Sequence, residues 1–246
     1  MKALILAGGL GTRLRSIVND KPKPMVSFGN MPFLEYQLLF LREHGITSLV
    51  FCVGYLYEQI QEYFGDGSQW NVEIDYSVEE KPLGTGGALR HAQRHVHGTF
   101  LTLNGDSFFN VNLKQLIQYH ANMKAEAVVG RYLGTVALTQ AKDTNRYGSV
   151  RLDQNSRISR FMEKGAGRPP ESGGFSPINA GIYVLEPEIL TLVPISRNVS
   201  VEQEIFPTIL SDGYHLGGCL LEGFFVDIGS PEGYEKFRTY LEEGSQ

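Results

Sequence analysis

Along residues 2–124, short apolar runs take turns with longer amphipathic stretches. KALILA (2–7), SLVFCVGY (48–55), NVEIDYSV (71–78) and TFLTLNGD (99–106) have the length and the β-branched or aromatic content of buried strands. MPFLEYQLLFLREHG (31–45), LYEQIQEYFG (56–65), TGGALRHAQRHV (85–96) and NLKQLIQYHANMK (112–124) read as helices. Strand and helix in strict turn predict an α/β, Rossmann-like fold, with a mainly parallel mixed sheet flanked by helices. Ligands of such sheets sit outside the carboxyl ends of the strands. The breaks at Gly8, Gly84 and Gly105–Asp106 fall on or near that edge.

From about residue 125 the pattern shortens into a β-rich part: AEAVVGRYL (125–133), YGSVRLD (147–153), RISRFMEK (157–164) and INAGIYVLE (178–186). GAGRPPESGGFSP (165–177), rich in Gly, Pro and Ser, reads as a mobile loop. The closing part predicts a helix around VEQEIFPTIL, a strand pair around YHLGGCLLEGFFVD and a last helix, SPEGYEKFRTYLEE. Ser230 is placed to cap that helix, with Pro231 at its first position.

The 246 residues, 42% of them apolar, suffice for one large core. A net charge of −5 and a pI near 5.7 exclude a basic stripe for nucleic acid and a polybasic membrane patch, so a bound anion must be held locally. Cys52 and Cys219 lie in apolar stretches without metal-ligand spacing and read as buried, reduced thiols. The first apolar run lacks a small-residue cleavage site, and no run approaches the roughly 18 apolar residues of a membrane span. The expected compartment is the cytoplasm.

LILAGGLGTRL (4–14) carries Gly8, Gly9 and Gly11 on the turn after the first strand, followed by the cation Arg13. Bare backbone lets N–H groups approach a phosphate or a flat base. The string is neither a P-loop nor a dinucleotide fingerprint, because G-K-S/T is missing and the second strand ends in Gly54 and Tyr55 rather than an acid. Alone, the glycines equally describe a tight turn. Lys23 is held between Pro22 and Pro24, which restrict the backbone; with Arg13 it brackets the same turn and suits a triphosphate. In EEKPLGTGGAL (79–89), Thr85 is placed to cap a Gly-rich helix start. Glu79 either accepts the paired N–H donors of guanine or is, like Glu80, an exposed acid at a strand end.

Asp106 and Asp227 each end a buried strand, where a carboxylate is costly unless paired or metal-bound. Two hard carboxylates with phosphate oxygens suit Mg²⁺ and, with no His/Cys cluster, not zinc. Glu163, Lys164 and Asn179 suit a sugar phosphate, the acid and amide for hydroxyls and the lysine for the phosphate. Their alternative is an ordinary cross-strand surface pair.

LAGGLGTRL, PKPM, PLGTGGAL, NGDSFF, FMEKG, INAGIYVL and VDIGSPEGY, in this order, resemble the sugar-1-phosphate nucleotidyltransferases over residues 2 to about 240. Within that family the chain looks most like the short bacterial D-glycero-α-D-manno-heptose 1-phosphate guanylyltransferases. Mannose-1-phosphate guanylyltransferases and N-acetylmuramate-1-phosphate uridylyltransferases have overlapping motifs. The resemblance implies a single GT-A-like domain over 1–246, with a nucleotide-binding half (1–124) and a sugar-phosphate-binding half (125–246). It implies NTP (GTP favoured) plus sugar 1-phosphate giving NDP-sugar and pyrophosphate, with Mg²⁺, in an enzyme whose relatives commonly form dimers.

By motif, Arg13 and Lys23 would be catalytic and Asp106 with Asp227 would hold the metal. Leu6, Gly8, Gly9, Gly11, Thr12, Glu79, Pro82, Gly84 and Thr85 would bind nucleotide. Asn104, Tyr147, Gly148, Glu163, Lys164 and Asn179 would line the sugar phosphate. Many relatives carry Glu-Lys-Pro where this chain has Glu163-Lys164-Gly165. Two rival classes are a nicotinamide-dependent oxidoreductase, against which Gly54 counts, and a non-catalytic nucleotide-sugar sensor, against which the retained Arg13, Lys23, Asp106 and Asp227 count.

Overall fold

The computed structural model describes residues 1–9, 21–141, 149–162, 175–195 and 197–244. In chain order the first part holds β1 (Lys2–Leu6), a small hairpin β2 (Ser27–Phe28) and β3 (Met31–Pro32), then α1 (Phe33–Glu43), β4 (Ser48–Val53), α2 (Tyr57–Phe64), β5 (Glu73–Val78), α3 (Gly84–His91), β6 (Phe100–Asn104), β7 (Ser107–Asn110) and α4 (Leu113–Glu126). The remainder holds β8 (Tyr132–Ala141), β9 (Ser149–Leu152), β10 (Ile158–Met162), β11 (Ser176–Leu185), a π-helical turn (Val201–Ile205), α5 (Phe206–Ser211), β12 (His215–Leu220), β13 (Phe224–Asp227) and α6 (Pro231–Glu243).

The main sheet runs β10-β9-β11-β6-β1-β4-β5, with β8 on β11 and β12 on β8. β1 pairs parallel with β4 and β6, and β4 with β5, as the alternation predicts. β11 enters antiparallel beside β6. Side chains on a strand alternate between faces. Ala3 and Ile5 therefore join one core with Phe33, Leu38, Phe64 and Phe237, while Leu4, Val50 and Tyr183 join the other with Leu89, Phe206 and Ile209. Both faces are covered, which is why these strands read as continuous apolar runs. Cys52 and Cys219 are buried free thiols, and burial pushes Cys219 up to about 11.

Three expectations need correction. The segment 125–133 is not a strand: α4 continues through Glu126, the chain turns, and β8 begins only at Tyr132. Val128 and Val129, whose branching suggested a strand, are 73% and 98% exposed on that turn. The strands near the end do not form a pair with one another; β12 runs parallel to β8, and β13 pairs antiparallel with β7 in a separate ribbon. The third concerns 165–177: Ser176 and Pro177 already belong to β11, and 165–174 lie outside the described residues. The last helix is as expected, with Ser230 Oγ accepting from the Gly233 N–H and Pro231 at its first position.

Candidate active site

The carboxyl ends of β1 and β6 and the loop after β5 open onto one cleft of about 420 Å³. Leu6–Gly9 form one wall, Pro82–Thr85 another and Asn104–Asp106 a third, with Lys23, Glu79 and Asn198 between them. Four segments far apart in sequence meet where a parallel sheet presents its ligand edge.

Gly8 is bare because Glu79 lies against it. A Cβ there would come within 3.2 Å of Glu79 Oε1 and 3.5 Å of the Gly54 nitrogen. Glu79 Oε2 accepts the Leu83 N–H at 3.0 Å. Burial raises the Glu79 pKa, only partly offset by that N–H and by His91. Glu79 is thus a cleft residue that also shapes the turn, whereas Glu80 is exposed.

The Pro82–Thr85 turn is tied to a segment the motifs did not single out. Gly84 has φ +70°, and a Cβ on it would lie 2.5 Å from the Val199 carbonyl. Gly86 N–H donates to that carbonyl at 2.9 Å, Val199 N–H donates to Leu83 at 2.9 Å, and Asn198 Nδ2 donates to Pro82 at 3.1 Å. Thr85 is not the cap expected of it. The helix begins one residue earlier, at Gly84, with Leu83 in the capping place. Thr85 Oγ1 instead donates to Glu202 Oε2 at 3.0 Å and accepts the Val201 N–H at 2.8 Å.

At the acidic end, Lys23 Nζ lies 2.6 Å from Asp106 Oδ2 and 3.9 Å from Asp227 Oδ1. Asp227 stands opposite Ser107 in the β7–β13 ribbon, which is how a residue 121 positions away reaches Asp106. Ile228 N–H donates to the Asp106 carbonyl at 2.9 Å and Gly229 N–H to Asp227 Oδ1 at 2.6 Å. The buried Gln37 donates through Nε2 to the carbonyls of Asn104 (2.9 Å) and Ser107 (2.8 Å), clamping the turn between β6 and β7. Two carboxylates brought together beside Lys23 fit a hard divalent ion with few protein ligands.

Of the residues expected on the sugar-phosphate side, Asn104 is on the cleft wall and Asn179 is joined to it through Tyr183. Asn179 Nδ2 donates to Tyr183 Oη at 2.9 Å, while its Oδ1 accepts the Gly181 N–H at 2.9 Å across a bulge in β11. Tyr183 Oη donates to Glu202 Oε1 at 2.9 Å, and Asn104 Nδ2 reaches the same oxygen at 3.3 Å. Sequence reasoning missed Glu202: an acid in a helical first turn ordinarily answers the helix dipole, and Thr85, Asn104 and Tyr183, which donate to it, lie 19 to 117 residues away. Gly11, Thr12, Arg13, Tyr147, Gly148, Glu163 and Lys164 lie outside the described residues.

The family described as nucleotidyl transferase matches residues 2–244. The chain belongs to that family. A D-glycero-alpha-D-manno-heptose 1-phosphate guanylyltransferase of Aneurinibacillus thermoaerophilus is 36% identical, over 98% of this chain and 99% of the relative. A mannose-1-phosphate guanyltransferase of Aspergillus fumigatus is 40% identical over 95% of this chain, which spans only 62% of that longer protein. The crystal structure of HddC from Yersinia pseudotuberculosis complexed with GMP-PN superimposes with a TM-score of 0.80 at 30% identity, covering 98% of this chain and 99% of HddC. The molecule is therefore an enzyme of nucleotidyl transfer, and its mixed, mostly parallel sheet between helices is the fold of its structural neighbours. Among the described residues no helix is long and apolar enough to cross a membrane.

Proposed function

We propose that this nucleotidyltransferase moves GMP from GTP onto D-glycero-α-D-manno-heptose 1-phosphate, releasing pyrophosphate and forming GDP-heptose in the cytoplasm. The observation that carries the reading is the convergence of Lys23 on Asp106 and Asp227 beside a cleft whose wall at Gly8 is bare backbone. The sugar and base follow from the full-length relative described as a heptose 1-phosphate guanylyltransferase and from the likeness to HddC, solved with GMP-PN.

The reaction is an in-line displacement. An oxygen of the sugar phosphate attacks the α-phosphorus, the bond to the β-phosphate breaks, and pyrophosphate leaves, so no protein nucleophile is needed. Positioning and charge neutralisation supply the acceleration. Leu6, Gly8, Gly9, Gly11 and Thr12 admit the nucleotide, Glu79 faces guanine within Pro82, Gly84 and Thr85, and Arg13 and Lys23 neutralise the phosphates. Asp106 and Asp227 would hold Mg²⁺, whose chemistry is to polarise the α-phosphate and spread its charge. Asn104, Tyr147, Gly148, Glu163, Lys164 and Asn179 form the sugar-phosphate side. On this reading residues 1–124 are the nucleotide half and 125–246 the sugar-phosphate half of one domain, and two copies associate as a dimer.

Mannose 1-phosphate is the second reading, favoured by the 40% identity to a mannose-1-phosphate guanyltransferase. A coupled pyrophosphate-release assay over four NTPs and a panel of sugar 1-phosphates, including mannose 1-phosphate and N-acetylmuramate 1-phosphate, decides. GTP with the manno-heptose 1-phosphate is expected to win. Preference for UTP or CTP overturns the guanylyl reading, and preference for mannose 1-phosphate overturns the heptose.

A further inference from the structure

Glu202, an acid no motif singled out, gathers four hydrogen-bond donors on its carboxylate. Its Oε2 accepts from Thr85 Oγ1 and Ser200 Oγ, each at 3.0 Å, and its Oε1 accepts from Tyr183 Oη at 2.9 Å and Asn104 Nδ2 at 3.3 Å. Four donors on two oxygens nearly exhaust what one carboxylate accepts. They come from the start of α3, the approach to the π-helical turn, the later part of β11 and the end of β6. Thr85 and Asn104 both line the cleft. Thr85 belongs to the turn that carries Gly84; Asn104 is two residues before Asp106. Tyr183 is fully buried and extends the same network to Asn179.

We infer that Glu202 is a positioning residue that sets the base-side turn and the sugar-side wall against one another. The inference rests on the nucleotide and sugar-phosphate reading of the cleft. Each arm has its own chemistry. Thr85 uses its hydroxyl as a donor to Glu202 and as an acceptor for Val201 N–H, so the carboxylate fixes the Thr85 rotamer and with it the first turn of α3. Asn104 is fixed on its other side through its backbone carbonyl, held by Gln37. The carboxylate therefore determines where the Asn104 amide points and leaves the Asp106 backbone alone. Removing it leaves the Tyr183 hydroxyl without its acceptor and the Asn104 amide with only the Tyr183 oxygen, at 3.5 Å. Glutamine keeps the shape: its oxygen accepts from Tyr183 and Asn104, and its amide donates to the Thr85 and Ser200 hydroxyls, which rotate to accept.

The test is steady-state kinetics with both substrates varied, beside thermal melting, on wild type, Glu202→Ala, Glu202→Gln, Thr85→Val and Tyr183→Phe. Glu202→Ala is expected to lower kcat on the order of 10²-fold, the effect of an ångström-scale misplacement, and Glu202→Gln to recover to within about tenfold of wild type. Thr85→Val, which cuts the base-side arm, raises KM for GTP severalfold and not that for the sugar 1-phosphate; Tyr183→Phe does the reverse. Unchanged kcat and KM values in Glu202→Ala below its melting temperature overturn the inference, as do Thr85→Val and Tyr183→Phe variants that lose only melting temperature or raise both KM values alike. A wild type without turnover for any NTP and sugar 1-phosphate would instead overturn the reading of the cleft.

Discussion

Lys23 and Asp106 are 83 residues apart in sequence and 2.6 Å apart in space, and the lysine side chain is only 10% exposed. The flanking prolines restrict the backbone at Lys23, so less backbone entropy is lost in holding it here, although the side chain still gives up its rotamer freedom. Lys23→Ala is expected to cut pyrophosphate release on the order of 10²–10³-fold, as for a single preorganised charge donor, with the fold retained. It also removes a cation that both Asp106 and Asp227 face. The variant's melting temperature should therefore rise more with added Mg²⁺ than that of wild type, because a ligand bound more tightly by the native state stabilises it more. Asp106→Ala should lose turnover and the Mg²⁺ response together. Near-wild-type release by either variant sinks these roles.

Gly84 tests the cleft from the other side. Alanine at φ +70° costs roughly 1–2 kcal/mol for the left-handed backbone alone, and its Cβ meets the Val199 carbonyl at 2.5 Å. Gly84→Ala should lower the melting temperature by at least about 2–4 °C, the usual worth of 1 kcal/mol in a chain of this size. It should also raise KM for GTP. Circular-dichroism melting and kinetics read the two effects; a variant unchanged in both contradicts the tie between the turn and residues 198–199.

Glu79 pits stability against binding. Burial raises its pKa, so the folded state holds that proton more readily than the unfolded chain, and the charge opposes folding at neutral and alkaline pH. That cost fades as pH falls through the folded-state pKa. Glu79→Gln keeps an acceptor for Leu83 N–H and removes the charge. We expect a higher melting temperature at pH 8, converging with wild type in acid, and a loss of GTP affinity of about tenfold, the worth of a charged hydrogen bond. Calorimetric titration of GTP and melting against pH check both halves; a lower melting temperature at pH 8 would refute the first.

Glu186 governs acid stability from the far end of the sheet. It is 5% exposed; burial pushes its pKa up, but hydrogen bonds from His120 (2.8 Å), Lys124 (2.8 Å) and Thr99 (2.8 Å) prevail and bring it down to about 2. The depressed pKa contributes on the order of 3 kcal/mol above the unfolded value near 4.5, lost as pH falls from there toward 2. Glu186→Gln should melt lower at pH 7 and lose this acid-dependent limb. Leu185, the residue before it, pairs with Phe100 at the start of β6, whereas the cleft lies at the other end, at Asn104. Its kcat at 25 °C should accordingly stay within about twofold of wild type, in the ordinary range for a change remote from the chemistry.

What the sequence by itself determined is what local physics encodes. Unbroken apolar runs such as those of β1, β4 and β6 mark strands buried on both faces, and their alternation with helices dictates a parallel sheet, the carboxyl edge of which is where such sheets bind ligands. Gly8, Gly84 and Asp106 were legible because a side chain too many, or a charge at the end of a buried strand, is costly wherever the chain goes. Ser230 was legible as a cap because capping is settled within four residues. The tertiary structure alone decided the pairings. Periodicity reports which face a residue takes and is silent about its neighbour, so the strand at 215–220 joins β8 and the one at 224–227 joins β7 rather than each other. The same limit hid Glu202. Its sequence neighbours mark a helix start, and only the folded chain brings Thr85, Asn104 and Tyr183 to one carboxylate.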